Sequence, residues 1–413
     1  LVRKAQPRKE APVSAPLRRT RGDLIATAVI AAIAALLVLI AYFTAPVRSS
    51  HLEPAAEVQD NAGKLAVVPN SLTEAFRLPD SSPNVEPMVA SGMIITYDQG
   101  TLTATTPTGD TAWTYHRDKD LCTLGQAWGK VVADYRTDAG CGDVVAIDAL
   151  SGKYAGTRSA IAPDEVTGVR SNDRLGYVGS TRAELWRSDM VRTVEYGYVE
   201  APQEPDMQPN QCQISSALTR TELLAVTETC ADGSYLRLQK TTPEDSRKPE
   251  LHTSVPIGQD AYLVAISQDA AAVYDPATSQ IHAYNEEGAE VSNSTVPALP
   301  GPPTLEGGVH PLAVADLPHH MTYHEGDYLV LMEPAKLAAT GVFQGALGTG
   351  FSAGDRLLYA ASDGVAVVNW DTNAVEKIIP VDRGGYTGPV YIDSAGAGVV
   401  EKRGNEVVVL AAN

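Results

Sequence analysis

Residues 101–118 read TLTATTPTGDTAWTYHRD. Leu102 and Ala104 alternate with threonines, a Pro-Thr-Gly-Asp turn around Pro107 and Gly109 follows, and Trp113 and Tyr115 resume the alternation. A period of two marks a strand with unlike faces, and Gly at a tight turn supplies the positive φ that such a connection needs. Just before it, MIITYD at 93–98 is apolar on both faces, as a strand covered from both sides must be. The unit is an apolar strand, a turn, an alternating strand, a Gly turn and a polar return strand.

Working outward, the unit recurs loosely down the chain. KVVADYR with DVVAIDALSGKYAGTR (130–158), RLGYVGS with AELWRSDMVRTVEYG (174–197) and ELLAVTE with YLRLQKTTPEDSRKPELH (222–252) follow it. YLVAIS with AAVYDPATSQIHAYNEEGAEV (262–291), DYLVLMEPAKLAATGVFQG (327–345) and RLLYAAS with DGVAVVNWDTNAVEKIIPV (356–381) complete the series. A period of about 40–45 residues built from short strands is the signature of a β-propeller. AGVVEKR and NEVVVLAAN end the chain unpaired, and KLAVVPNSLTEAFRLP (64–79) precedes the first unit with two short strand candidates. Two strands from each end sharing one blade would close the ring without a free edge. The expectation is an all-β propeller over residues 63–413, with eight blades favoured and seven as the alternative.

Upstream, residues 24–45, LIATAVIAAIAALLVLIAYFTA, carry no charge. As a helix they reach about 33 Å, enough for a hydrocarbon core of about 30 Å. Residues 1–23 carry Arg3, Lys4, Arg8, Lys9, Arg18, Arg19 and Arg21 against Glu10 and Asp23, a net +5 that the positive-inside rule holds in the cytoplasm. A cleavable signal peptide is the alternative, although its apolar region is about 7–15 residues. The polar, Pro- and Ala-rich residues 46–62 read as a stalk. These features place one transmembrane helix in the plasma membrane, with the C-terminal domain extracytoplasmic.

The whole chain has a formal charge of −18, so the part beyond residue 23 carries −23. That sign speaks against nucleic acid as a partner of the exported domain. Four cysteines fall into pairs, Cys122 with Cys141 and Cys212 with Cys230, each bracketing one apolar strand. Two local disulfides fit this pattern and an oxidising exterior. A zinc site is the alternative, without a CxxC spacing to support it.

The pattern L-x-A-x-x-P-x-G-x-x-x-W of residues 102–113 and V-x-I-D-A-x-S-G of 145–152 resembles the pyrroloquinoline-quinone-like propeller repeat, close to A-x-D-x-x-T-G-x-x-x-W. In that family the Thr/Ser-Gly pair turns between two outer strands and the Trp docks one blade on the next, a role that Trp113 matches. As a whole the chain resembles the conserved alanine- and valine-rich, membrane-anchored propeller proteins of mycobacteria and corynebacteria. LCTLGQAWG (121–129), the Gly140-Cys141 pair and LWRSDMVRTVEYG (185–197) carry that likeness. The resemblance implies an envelope component and no particular activity. It does not bring the quinone cofactor, because quinoprotein dehydrogenases carry a vicinal disulfide and this chain has no Cys-Cys dipeptide. No cofactor is expected.

For function, LWRSDMVRTVEY is the densest mixture of aromatic and charged residues. Trp186, Arg187, Arg192 and Tyr196 are the types enriched at binding hot spots, and the same letters would equally make an ion network between blades. His319, His320, His324 and Glu325 form the one dense histidine group. On a strand His320 and His324 share a face, which makes them weak metal candidates beside the default of solvated loop histidines or a pH-responsive contact. No G-x-S-x-G, H-E-x-x-H or phosphate-loop motif occurs. A rigid ring with loops on two faces, fixed near the bilayer by its anchor, together with the resemblance, implies a binding or scaffold protein of the cell envelope, with an envelope protein, glycan or lipid as partner. The alternative is an extracytoplasmic hydrolase, lyase or oxidoreductase with its site at the propeller axis.

Overall fold

The computed structural model describes residues 19–208 and 212–412. The basic tail expected over 1–23 lies outside the described residues for its first 18 positions. The apolar helix spans Arg21–Thr44 and has no buried residue. It starts earlier than the uncharged run because Thr20 caps it: the Thr20 hydroxyl accepts from the Asp23 amide at 3.1 Å and the Asp23 carboxylate accepts from the Thr20 amide at 2.8 Å. The helix is long and apolar enough to cross a membrane, a description that a signal sequence also meets.

Residues 51–413 form a separate unit, an eight-bladed β-propeller. Each blade is an antiparallel sheet, and in blades 1 to 7 its four strands run in chain order from hub to rim. In blade 1 these are Met88–Ala90, Met93–Asp98, Thr101–Thr105 and Thr111–Arg117. Blades 2 to 7 occupy 121–159, 167–197, 213–257, 262–295, 314–344 and 351–380. In each, the second strand is largely buried on both faces, which is why runs such as LLAV and LLYAA are apolar in sequence. Blade 6 is the exception, where the second strand Met321–Glu325 buries Thr322, His324 and Glu325 and the apolar run YLVLM is the third strand.

Blade 8 closes the ring. Val390–Ala395, Gly398–Arg403 and Glu406–Ala412 supply three strands, and Leu72–Pro79 supplies the fourth at the rim. The expected two-plus-two sharing is therefore corrected to one-plus-three. Residues 64–70, interrupted by Pro69, form no strand, and Val390–Ala395 was hidden behind the Gly- and Pro-rich RGGYTGP. Two ionic contacts lock the closure: Arg77 lies 3.3 Å from Glu406, and the buried Lys402 ammonium donates to the buried Asp80 carboxylate and, at 2.8 Å, to the Asp80 carbonyl.

The core is a ring of eight apolar clusters, one between each pair of neighbouring blades. Trp113 shows how the repeat letters create such an interface. Its ring is buried between blades 1 and 2, and its Nε1 donates to the Ala149 carbonyl at 2.8 Å. Gly152, at φ +65°, lies on that ring, where a Cβ would come within 2.6 Å of Trp113. The Ser-Gly turn of blade 2 is thus the seat of the blade 1 tryptophan.

Residues 46–62 do not stand off as a stalk from His51 onward. Ser50–Glu53 adds a fifth strand to the rim of blade 1, and the Ala55 and Gln59 amides donate to the Ser151 and Leu150 carbonyls of blade 2 at 3.1 Å each. The chain then meets blade 8, where the Gly396 amide donates to the Gly63 carbonyl at 3.0 Å, and blade 7, where Lys377 donates to the Pro69 carbonyl at 3.1 Å. This strap crosses the face that carries the turns between first and second strands. On the other face a long connection, residues 296–313, reaches from blade 5 to blade 4, where the His310 amide donates to the Ser215 carbonyl at 2.8 Å.

Candidate functional site: the axial channel

The first strands of the blades surround an axial channel of about 350 Å³. Several of them end in a charged residue just before their turn: Arg170 closes Thr167–Arg170, Arg220 closes Gln213–Arg220 and Asp316 closes Val314–Asp316. The apolar residues of these strands pack between blades, and the terminal charges line the channel.

The charges pair across the channel. Arg170 of blade 3 lies 3.1 Å from Glu86, which leads into blade 1, so the pair skips blade 2. Arg220 of blade 4 lies 3.1 Å from Asp316 of blade 6 and skips blade 5. Lys64 of the strap lies 3.4 Å from Asp393 of blade 8, and the Thr349 hydroxyl, leading into blade 7, donates to Glu86 at 2.8 Å. Glu86 therefore ties three blades together. Burial pushes its pKa up, with Arg170 opposing, and Asp316 is pushed up in the same way against Arg220.

Beside the channel lies an apolar pocket of about 150 Å³, lined by Pro83, Val85, Leu124, Val169, Leu175 and Leu312. Glu86, Thr167, Val169, Arg170 and Leu312 face both spaces, so the two share a wall. Leu305, from the long connection, also lines the pocket.

The residues singled out by sequence lie elsewhere. Trp186 and Tyr196 are fully buried, which takes them out of a partner surface. Alternation along Arg182–Trp186 turns Arg182, Glu184 and Trp186 toward blade 2. Glu184 accepts from Trp186 Nε1 at 2.6 Å and from Arg182 at 2.8 Å, and it pairs with Arg158 of blade 2. Tyr196 donates to Glu228 of blade 4 at 2.8 Å, and Arg192 lies 2.8 Å from Glu195. Arg187 alone of the four is exposed, 2.9 Å from Asp189. The stretch is an ionic brace joining blades 2, 3 and 4. Next to it, Asp134 of blade 2 is buried with no hydrogen bond to either carboxylate oxygen. Burial first, then the Asp143 and Glu184 charges, push its pKa up to about 7.

His320 and His324 do not converge. The His324 Nε2 donates to the Ala346 carbonyl at 3.1 Å, leaving Nδ1 to accept from the Tyr391 hydroxyl at 3.2 Å. His320 instead stacks on Trp370, with ring centroids 5.9 Å apart. Among the described residues the one tight grouping of ligand types is Cys212, Glu228 and Cys230, whose sulfurs are joined to each other. Both disulfides have the pairing read from sequence, Cys122–Cys141 and Cys212–Cys230.

The axial residues were missed because Lys64, Glu86, Arg170, Arg220, Asp316 and Asp393 are scattered over more than 300 positions. Their one local signal is a charge ending a short apolar strand, as in TGVR, ALTR and VAD.

No protein-family model matches the sequence, and no curated protein matches it either. By fold the chain is similar to the dihydro-heme d1 dehydrogenase NirN, with TM-score 0.51, 12% identity, 84% of this chain and 75% of that one covered. It is also similar to BamB from Moraxella catarrhalis, at TM-score 0.48 and 13% identity over 82% and 99% of the two chains. A europium-containing methanol dehydrogenase aligns at TM-score 0.46 and 11% identity over 80% and 84%. The likeness to NirN agrees with a β-propeller fold. At such identities the likenesses concern the fold alone.

Proposed function

We propose that the chain is a single-pass membrane protein whose propeller, held on the extracytoplasmic side, is a binding or scaffold component of the cell envelope. The apolar helix and the two disulfides support this location. The observation that carries the binding role is the axial channel. Its carboxylates each hold a cation or hydroxyl from another element, so they act as braces of a preformed recess rather than as a free base or nucleophile. A preformed recess with a few convergent polar groups beside an apolar pocket is the make-up of a recognition site.

Crosslinking in intact membranes, followed by identification of the neighbours, tests the proposal. The expected result is recurrent crosslinks from propeller lysines such as Lys119 and Lys153 to extracytoplasmic envelope components. Crosslinks from these lysines to cytoplasmic proteins would overturn it.

A further inference from the structure

We infer that the axial channel and the apolar pocket beside it form one composite site for a small amphiphilic carboxylate, its anionic head on Arg170 and a compact apolar group in the pocket. The inference rests on the binding role proposed above and adds the class of ligand.

Three observations carry it. First, the two spaces adjoin, and Glu86, Thr167, Val169, Arg170 and Leu312 line both. A ligand can therefore touch both the ionic groups and the apolar lining. Second, the sign of the head group follows from how the ion pairs are set. In Glu86–Arg170 the side chains are 22% and 43% exposed, and in Asp393–Lys64 they are 23% and 65% exposed. In these two pairs the carboxylate lies deeper and the cation faces the open channel, whereas Arg220–Asp316, between blades 4 and 6, is set the other way at 22% and 41%, so the place for an anion is the Arg170 side of the channel. Arg170 meets Glu86 through one nitrogen, Nη2, which leaves the other edge of a five-donor guanidinium for a second carboxylate. Lys64, like Arg170, lines the channel.

Third, the size of the tail follows from the pocket. A dry cavity of about 150 Å³ holds one benzene-sized group, and the volume here is about 150 Å³. A pocket of this volume suits a branched chain of a few carbons better than a long acyl chain. Such a carboxylate arises either as a free acid or as the C-terminus of a polypeptide ending in an apolar residue.

The test uses the full chain in detergent and isothermal titration with 4-methylpentanoate. Binding on the order of 1 mM or tighter is expected for a ligand of this size. Acetate, lacking the tail, and 4-methylpentanamide, lacking the charge, should each bind about tenfold or more weakly. Arg170→Gln should weaken 4-methylpentanoate to the level of the amide, and Leu312→Phe, which fills the pocket, should reduce it to the level of acetate. Selectivity among ligands on the unmodified chain keeps the test decisive if a variant fails to fold. A short peptide ending in Leu that binds as well as the free acid, and loses binding when its C-terminus is amidated, points to the polypeptide source; a peptide that does not compete points to the free acid. Equal binding of acid and amide, or no saturable binding of the acid below about 10 mM, overturns the inference. Envelope crosslinks together with failed titrations would remove the ligand assignment and leave the binding role standing.

Discussion

Asp134 gives the sharpest test of the interior. Its carboxylate lies between blades 2 and 3 with both oxygens unbonded, facing Asp143 and Glu184, and its pKa rises to about 7 from an ordinary 3.8. Below about pH 4 the folded and unfolded chains both carry the proton. Between about pH 4 and 7 the folded chain keeps it and the unfolded chain releases it. Stability contributed by the neutral form is therefore lost as pH rises through that window, and it levels off above it. A shift of about three units at about 1.4 kcal/mol each makes the loss roughly 4 kcal/mol. Asp134→Asn removes the titration. Its unbonded amide costs about 1–3 kcal/mol at any pH, so the variant should be level with or below the parent at pH 4 and above it at pH 8. Urea unfolding of the full chain in detergent at pH 4, 6 and 8, followed by the fluorescence of the buried Trp113 and Trp186, measures this. Parallel stability profiles for parent and variant between pH 4 and 7 would refute the reasoning.

Other substitutions probe the ring. Lys402→Met should cost about 3–5 kcal/mol by stranding the buried Asp80, and pairing it with Asp80→Asn should recover part of that loss in a double-mutant cycle of urea unfolding. Trp113→Ala should cost about 3–5 kcal/mol in the same assay, because it empties the interface of blades 1 and 2 and leaves the Ala149 carbonyl without its donor. Replacing Cys122 and Cys141 by Ser, or Cys212 and Cys230 by Ser, should each cost about 3 kcal/mol, since the closed loops span 19 and 18 residues. Mass mapping of non-reduced peptides should recover these two pairs and no crossed ones.

The propeller was legible because its repeat is written in local chemistry. MIITYD has to be a strand buried on both faces, and the Gly109 turn with Trp113 reports both a hairpin and a docked blade. The helix was legible for the same reason, except that its start depends on the Thr20 cap. What the letters could not give was whatever depends on which face a strand turns inward. Trp186 and Tyr196 look like a rim in sequence, and alternation buries them against blades 2 and 4. His320 and His324 would share a face if both stood on one strand, but the strand begins at Met321, so His320 meets Trp370 while His324 meets a backbone carbonyl. The strap and the axial pairs are partnerships between segments far apart in the chain, such as Glu86 with Arg170 and Thr349, and no local pattern announces them.

Since the account hinges on a propeller displayed outside the membrane, labelling of intact cells with a membrane-impermeant lysine reagent tests it most directly. Exposed propeller lysines such as Lys119, Lys153 and Lys248 should be modified to the same extent as in detergent-lysed cells. Labelling of these lysines only after lysis would contradict the account.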